Sequence, residues 1–388
     1  MTGILGLDAD DLNTCVACGL CLPHCPTYRV TGREVASPRG RIAAMRLVDS
    51  GELSADATFV EAMESCVGCR GCEPACPSAV PFGRLMTATR SALPRPASWF
   101  RRFAEWFALD IVLPRHRLLI LLTRLLAVLQ RLRLVPRRLG IPRLAPAGRR
   151  PLRLPVGGAP EAWLFTGCVM DAWLRDVHRA AARVMDATGT EVAVPGPGGA
   201  CCGALHLHAG RREEARRLAR RVIASMPGAA PVVIDSAGCG AVMKEYGDLL
   251  GTDEAHRFSA RVRDFSEWMV ATGLPVFRST GQTVVVQDPC HLRNVQRTHG
   301  AVRELLAGAY SLVETADDGL CCGAGGAFAV FRADDAAAIR ARKVAALRAA
   351  AGDADPIVVS ANPGCVMHLR AAGLDVRHPA ELAAEVLE

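Results

Sequence analysis

Two runs of four cysteines near the start of the chain have the residue type and spacing that bind iron. The runs are Cys15-x2-Cys18-x2-Cys21-x3-Cys25-Pro26 and Cys66-x2-Cys69-x2-Cys72-x3-Cys76-Pro77. In each run three thiolates lie on one tight loop, and a proline follows the fourth cysteine. This spacing predicts two [4Fe-4S] clusters, which accept and release single electrons.

The same spacing predicts which cysteines share a cluster. In two-cluster ferredoxins the fourth cysteine of each run binds the cluster of the other run. One cluster is therefore assigned to Cys15, Cys18, Cys21 and Cys76, and the other to Cys66, Cys69, Cys72 and Cys25. Two structural zinc sites are the alternative, but zinc sites do not require a third cysteine at the same spacing followed by Cys-Pro.

Length and composition indicate a folded protein of several domains. The chain has 388 residues, of which 50% are hydrophobic and 22% are charged, enough for two or three domains. Its first residues lack the basic and apolar segments of a signal peptide. We therefore expect a cytoplasmic protein whose sixteen cysteines stay reduced and serve as metal ligands.

Positive charge is concentrated in the middle of the chain. The net charge is +7, whereas residues 95–153 contain fourteen arginines against Glu105 and Asp110, a local surplus of +12. No recognised nucleic-acid-binding module accompanies this stretch, so we expect no nucleic-acid partner. An anionic membrane surface or an acidic protein fits better, which predicts peripheral contact with the inner face of the cell membrane.

The sequence between the two cysteine runs predicts helices rather than strands. Ser37 and Pro38 form a helix start, and apolar residues recur after them at helical spacing. We expect residues 1–95 to form a mainly helical two-cluster domain. Arg39 and Arg41 are candidates to offset cluster charge, but surface ion pairs are the favoured interpretation.

Residues 96–157 predict an arginine-rich helical connector with breaks at Pro114, Pro136, Pro142 and Pro146. One helix face, here called the aromatic face, consists of Trp99, Phe103, Trp106 and Phe107. It is suited to a membrane interface, or to packing on a neighbouring domain or subunit. The apolar stretch 118–134 contains three arginines, too many for a helix that spans a membrane.

The remaining residues repeat a pattern of four cysteines. The copies contain Cys168, Cys201, Cys202 and Cys239, and then Cys290, Cys321, Cys322 and Cys365. The second copy is offset by 122 residues at the first cysteine, 120 at the second and 126 at the fourth. We therefore predict a duplicated unit with copies at 158–275 and 276–388.

Short apolar runs precede the first and last cysteine of each copy, at 162–165, 231–234, 283–286 and 356–359. Helical stretches such as 211–223 and 334–350 lie between them. This alternation predicts a parallel, helix-covered sheet in each copy, so that the chain is α/β overall. Ligands of such sheets gather at the carboxyl ends of the strands, which predicts one metal site per copy.

Four histidines lie close to these cysteines in sequence: His206, His208, His291 and His368. Each can ligate metal or carry a proton, but a hydrogen-bonded or exposed helix residue is the favoured interpretation. The glycines at 323–326 do not form a phosphate-binding fingerprint.

Together these motifs resemble the iron-sulfur subunit of bacterial glycolate oxidase. The resemblance rests on both cysteine runs, the 37–41 stretch, the two Cys-Cys-Gly pairs, residues 236–240 and residues 362–365, and it covers nearly the whole chain. It implies FAD-containing partner subunits that oxidise glycolate to glyoxylate, and a quinone or another acceptor for the electrons. It also implies cysteine-rich repeats similar to those of heterodisulfide reductases.

One feature departs from the fullest form of that repeat. Ser236 and Asn362 stand where that form has a fifth cysteine. The resemblance then implies four thiolates per copy, enough for one ordinary [4Fe-4S] cluster or a zinc ion, and it puts a double cluster on five thiolates in doubt.

The chain is expected to relay electrons and to have no catalytic residues. It has no flavin or nicotinamide fingerprint and no acid-base or nucleophile constellation. The iron-sulfur subunit of a glycerol-3-phosphate or lactate dehydrogenase is an alternative. A catalytic disulfide reductase of the heterodisulfide-reductase type, and a scaffold with zinc in its repeats, are alternatives of other classes.

Overall fold

The computed structural model describes residues 3–93, 99–135, 152, 154–196, 198–317, 319–352 and 355–388. An N-terminal helical region is followed by two connecting helices and two α/β sheets, which confirms the predicted fold class. The domain boundaries at 95, 157 and 275 stay predictions. The breaks predicted at Pro136, Pro142 and Pro146 lie outside the described residues.

Short helices frame the N-terminal cysteine runs. They are α1 (Ala9–Asn13), α2 (Pro26–Thr31), a 3-10 turn (Glu34–Ala36), α3 (Pro38–Asp49), α4 (Ala57–Glu64) and α5 (Phe82–Ala92). The predicted start of α3 is confirmed, because the Ser37 hydroxyl accepts a hydrogen bond from the Gly40 amide at 3.0 Å and Pro38 is the first helical residue. The apolar side of α3 packs into a buried core with Met63 and Leu85.

The connector forms α6 (Trp99–Trp106), a π-helical segment (Phe107–Val112) and α7 (His116–Arg131). The predicted break at Pro114 is confirmed, since it separates α7 from the π-helical segment. The aromatic face is exposed, with 52% of Phe103 and 44% of Trp106 accessible to solvent. Among the described residues no helix has the length and apolar character needed to cross a membrane.

Two four-stranded sheets form the C-terminal part, and every strand pair in them is parallel. The first sheet has the order β2-β1-β3-β4, with β1 (Ala162–Phe165), β2 (Val192–Ala193), β3 (Val232–Ile234) and β4 (Val262–Asp264). The second has the order β6-β5-β7-β8, with β5 (Thr283–Val286), β6 (Ser311–Val313), β7 (Ile357–Val359) and β8 (Asp375–Arg377). The inner strands confirm the four predicted apolar runs.

Helices cover the sheets, as parallel strands require. The first repeat contains α8 (Val169–Trp173), α9 (Arg175–Asp186), α10 (Ala204–His208), α11 (Arg212–Ser225), α12 (Ala237–Lys244), α13 (Tyr246–Leu250), α14 (Asp253–Ala260) and α15 (Phe265–Thr272). The second contains a π-helix (His291–Gln296), α16 (Gly300–Leu306), α17 (Phe328–Phe331), α18 (Ala333–Ala351), α19 (Pro363–Arg370) and α20 (Pro379–Glu385).

The two repeats share one core. Helix α9 packs against α20, and apolar residues of both sheets, including Leu164 and Val285, lie in a single buried cluster. The chain segments that leave β3 and β7 also meet, because the Ala237 amide donates to the Ala361 carbonyl at 3.0 Å. This contact brings the segments that carry Cys239 and Cys365 next to each other.

Candidate functional site

The first N-terminal set lies around a cavity that is open to solvent. Cys15, Cys18, Cys21 and Cys76 line this cavity, and Cys72 of the other set also contacts it. Cys18 is exposed and the other three members of the set are partly buried. Cys76 therefore lies with the first run, as the crossed assignment requires, while ligation itself stays a prediction.

The second N-terminal set is more deeply buried. Burial raises the pKa of Cys72 well above its ordinary value, and the neighbouring sulfurs of Cys69, Cys66 and Cys25 raise that pKa further. Cys25 is therefore near the second set, and its charge also acts on Cys21 of the first set. Its place as a ligand of the second set stays a prediction.

The two cysteine loops have one backbone conformation although their sequences differ. The residues on either side of the middle cysteine have positive φ angles: 56° at Ala17 and 89° at Gly19 in one loop, 77° at Gly68 and 55° at Arg70 in the other. This conformation costs a non-glycine residue roughly 1–2 kcal/mol. It directs backbone amides toward sulfur, and the Gly68 amide donates to Cys66 Sγ at 3.4 Å.

Arg41 is fully buried beside the second set. Its Nη1 lies 3.9 Å from Cys25 Sγ, and its other hydrogen bonds run to the Ala62 carbonyl and to the hydroxyls of Thr27 and Ser65. In the described part of the chain no carboxylate pairs with Arg41. A buried cation is costly unless an anion lies near it. Thiolates, or the cluster they bind, supply that anion.

Two further arginines lie against the cysteine loops. Arg46 donates to the Cys15 carbonyl at 2.6 Å, and Arg90 donates to the Cys66 carbonyl at 2.5 Å. Burial lowers the pKa of Arg90, and the charge of Cys66 opposes that effect. Positive charge therefore adjoins both sets, so the residues present fit iron-sulfur clusters, whose four thiolates make them anionic.

The favoured interpretation of two arginines as surface ion-pair residues is confirmed for one and wrong for the other. Arg39 pairs with Glu34 at 2.6 Å on the surface. Arg41 is instead buried, because it lies on the same side of α3 as the core residues Met45 and Val48. The sequence signal for a buried arginine is its position in line with the apolar residues of a helix, as Arg41 stands four residues before Met45. Arg90 stands four residues after Met86 in the same way.

In the first repeat the four cysteines lie together in two contacting pairs. The Sγ atoms of Cys168 and Cys201 are 4.0 Å apart, and those of Cys202 and Cys239 are 3.2 Å apart. A hydrogen bond from the Cys168 thiol lowers the pKa of Cys201.

In the second repeat the corresponding cysteines also meet. The Sγ atoms of Cys322 and Cys365 are 3.2 Å apart, and Cys321 contacts both Cys290 and Cys322. Interactions with the Cys321 and Cys365 side chains hold the pKa of Cys322 well below its ordinary value. Within the described ranges no three His, Cys, Asp or Glu residues have the arrangement of a single-ion site. Ligation by both repeat sets stays a prediction.

Asn362 occupies the position of the absent fifth cysteine and connects the repeats. Its Nδ2 donates to Cys365 Sγ at 3.6 Å, and its Oδ1 accepts from the Gly238 amide at 3.0 Å. Ser236, the corresponding residue of the first repeat, is buried and precedes α12. The side chain of Asn362 therefore spans the gap between Cys365 and the segment that carries Cys239.

Three of the four histidines confirm the interpretation as hydrogen-bonded helix residues. His206, His291 and His368 contact the carbonyls of Leu109, Gly68 and Ala336 at 2.9, 3.1 and 3.4 Å. His208 contacts the ring of His291 edge-on, with the centroids 5.3 Å apart. Burial lowers the pKa of His208 to about 3, so this ring stays neutral.

We expect serine substitutions to reveal the crossed ligands. Cys25→Ser should perturb the cluster bound by Cys66, Cys69 and Cys72, and Cys76→Ser should perturb the other cluster, because each fourth cysteine reaches across. Electron paramagnetic resonance (EPR) of the reduced full-length protein, with iron and sulfide assays, measures both effects. Cys15→Ser and Cys66→Ser identify the two signals. Loss confined to the cluster of its own run in Cys25→Ser would contradict the assignment.

We also expect Arg41 to raise the reduction potential of the cluster nearest Cys25. A unit charge about 4 Å away contributes about 4 kcal/mol at an effective dielectric constant near 20. For one electron this corresponds to a shift on the order of 100 mV. Arg41→Met should therefore lower the potential of this cluster in an EPR-monitored redox titration.

Arg46→Met is the matched control for that titration, because Arg46 lies at the Cys15 loop. It should lower the potential of the other cluster instead. Equal potentials in wild-type protein and Arg41→Met would show that Arg41 does not act on cluster charge.

Comparisons with known proteins agree with this geometry. Residues 11–80 match the 4Fe-4S dicluster domain family. Residues 162–244 and 284–370 each match the cysteine-rich domain family, so the predicted duplication is also found by comparison.

Similarity to whole proteins extends along nearly the entire chain. The chain is 32% identical to the probable glycolate oxidase iron-sulfur subunit of Bacillus subtilis, over 94% of this chain and 89% of that protein. It is 31% identical to the glycolate oxidase iron-sulfur subunit of Escherichia coli, over 98% and 96%. Lactate utilization protein A of Bacillus velezensis is 26% identical over 53% of this chain and 89% of that protein. With its paired cysteine runs and duplicated cysteine-rich sheets, the chain belongs to the family of glycolate oxidase iron-sulfur subunits.

Proposed function

We propose that this chain relays electrons within a flavin-dependent 2-hydroxy-acid dehydrogenase whose substrate is glycolate. FAD-containing partner subunits oxidise glycolate to glyoxylate, and a quinone or another respiratory acceptor takes the electrons. The observation that carries this proposal is the grouping of all sixteen cysteines into four sets of four, with Arg41 buried beside one N-terminal set and Arg46 partly buried beside the other. Full-length similarity to glycolate oxidase subunits supports the choice of substrate.

The residues of this chain prepare it for one-electron transfer. A bound [4Fe-4S] cluster supplies a one-electron carrier, whose potential depends on charge, burial and hydrogen bonds to sulfur. The thiolates hold the cluster, Arg41 and Arg90 stabilise the added negative charge, and the Gly68 amide donates to sulfur. Since a reduced flavin releases two electrons, several carriers in one chain allow them to leave singly.

We infer that each repeat binds a further group through its four cysteines and that at least one such group is redox-active. The sulfur contacts in both sets and the low pKa of Cys322 support this inference. An iron-sulfur cluster meets both requirements, whereas zinc has no redox chemistry and would make the repeat structural.

The alternative functions differ in the group that the repeats would bind and in the substrate of the partner subunits. A disulfide reductase of the heterodisulfide-reductase type is disfavoured, because Asn362 provides an amide where a fifth thiolate would be needed. Lactate is the second candidate substrate, since similarity to lactate utilization protein A covers 53% of the chain. The substrate pocket would lie on a partner chain in either dehydrogenase.

We expect Cys322→Ser to break the relay downstream of the flavin. In the complex assembled with its flavoprotein subunits, glycolate should still reduce the flavin, while quinone reduction should fall to the background rate. Stopped-flow absorbance measures both steps, and lactate in place of glycolate tests the second candidate. Quinone reduction at the wild-type rate in a fully assembled Cys322→Ser complex would favour structural zinc at this site.

We further propose that the connector rests on an anionic membrane surface at the inner face of the cell membrane. Phe103, Trp106 and Phe107 expose 52%, 44% and 40% of their surface on one side. Helix α7 of the same connector carries Arg117, Arg124 and Arg131, and Asp110 is paired with Arg211. Exposed apolar rings in a segment rich in arginine match the interface of a bilayer that contains anionic lipid.

Phe103→Ala combined with Trp106→Ala should weaken binding to vesicles of phosphatidylglycerol and phosphatidylcholine by at least about tenfold, since burying one aromatic side chain contributes about 1.5–3 kcal/mol. Vesicle sedimentation measures the loss, and added salt should weaken binding of the wild-type protein as well. Phe331→Ala, at an exposed ring outside the connector, is the control. A double variant that binds vesicles normally but melts at lower temperature would place these rings in the core.

A further inference from the structure

The second repeat holds the loop of the second N-terminal set. Asn294 Nδ2 donates to the Cys69 carbonyl at 3.0 Å, and His291 Nε2 contacts the Gly68 carbonyl at 3.1 Å. Both side chains belong to the π-helix that begins directly after Cys290. The segment that follows Cys290, the first cysteine of the second repeat, therefore also supports the Cys69 loop of the second N-terminal set.

Cysteines of the two sets lie close together at this junction. Cys69 and Cys321 are near enough for their side chains to interact. Cys69 and Cys290 pack against one apolar cluster that contains Cys321, Val67 and Phe328. The junction between the N-terminal cluster and the second repeat is thus closely packed and apolar.

In the first repeat, a different part of the chain packs over the segment that follows the first cysteine. Its residues after the first cysteine are Val169 and Ala172, where the second repeat has His291 and Asn294. These small apolar side chains pack, together with Cys168 and Cys201, against Leu109, Leu113 and Leu119 of the connector. The first-repeat site therefore lies under the connector and the second-repeat site lies under the N-terminal cysteine loop.

We propose that electrons pass between the N-terminal clusters and the repeats through the second repeat, across the packed junction of Cys69 and Cys321. Each transfer moves one electron, so that the group on one side is oxidised and the group on the other is reduced, with no bond made or broken. Asn362 continues the path from Cys365 to the segment of Cys239. This proposal rests on the proposed function and adds to it the order of the carriers.

Asn294 is the positioning residue of this junction, because it fixes the Cys69 loop without contributing a ligand. Gln296 offers a matched control in the same π-helix, since its carboxamide donates at 3.0 Å to the Ala237 carbonyl of the first repeat. Each residue can be changed to alanine while all sixteen cysteines are kept.

The test uses the full-length protein assembled anaerobically with its flavoprotein subunits. In reduced wild-type protein the EPR signal of the second N-terminal cluster should be broadened by the neighbouring unpaired spin of the second repeat. Cys321→Ser should abolish this broadening, and Cys201→Ser, at the equivalent position of the first repeat, should preserve it. Broadening lost in Cys201→Ser but kept in Cys321→Ser would overturn the proposal.

The alanine variants keep the proposal testable if Cys321→Ser fails to assemble. Rapid freeze-quench EPR after addition of glycolate should show delayed arrival of electrons in the second repeat of Asn294→Ala, and no delay in Gln296→Ala. The opposite result would overturn the proposal. Iron analysis distinguishes a failure of the redox role of the repeats from a failure of the proposed route. Repeats that contain only zinc would refute both the redox role and this route, whereas redox-active repeats without magnetic coupling to the N-terminal clusters would refute the route alone.

Discussion

A sulfur atom that binds metal must carry negative charge, and nearly all cysteine side chains of this protein are buried or partly buried. Of the sixteen cysteines only Cys18 is exposed. Three kinds of donor offset the charge: the guanidinium group of Arg41, backbone amides such as that of Gly68, and thiol hydrogens such as that of Cys321. Each is effective because the dielectric constant around buried groups is low. The helices and sheets are the means by which these donors reach the sulfurs.

Local signals predict a large part of this arrangement. Cysteine spacing predicts the two N-terminal sets, and apolar runs predict the inner strands, because both depend on residues close together in sequence. The outer strands carry little signal, since β2 has only two residues and β4, β6 and β8 each interrupt the apolar pattern with a polar or charged residue. The charge partner of Arg41 has only a weak sequence signal, because the sulfur of Cys25 lies at the start of another helix, α2.

The contact between Cys69 and Cys321 joins residues that are 252 positions apart, as the difference of their numbers gives. Nothing in either local sequence specifies that contact. The contact forms because the N-terminal region packs against two sheets that share one core. Tertiary packing therefore decides which cysteine sets are neighbours, whereas local sequence predicts only which cysteines belong to each set.

The two repeats descend from one pattern, yet a single N-terminal region cannot sit on both of them in the same way. The turn after the first cysteine has become polar in one copy, with His291 and Asn294, and apolar in the other, with Val169 and Ala172. An exchange of these turns would bury a carboxamide beneath leucines and leave two carbonyls of the cysteine loop unpaired. The copies are thus not interchangeable, because these four positions fit different neighbours in the two repeats.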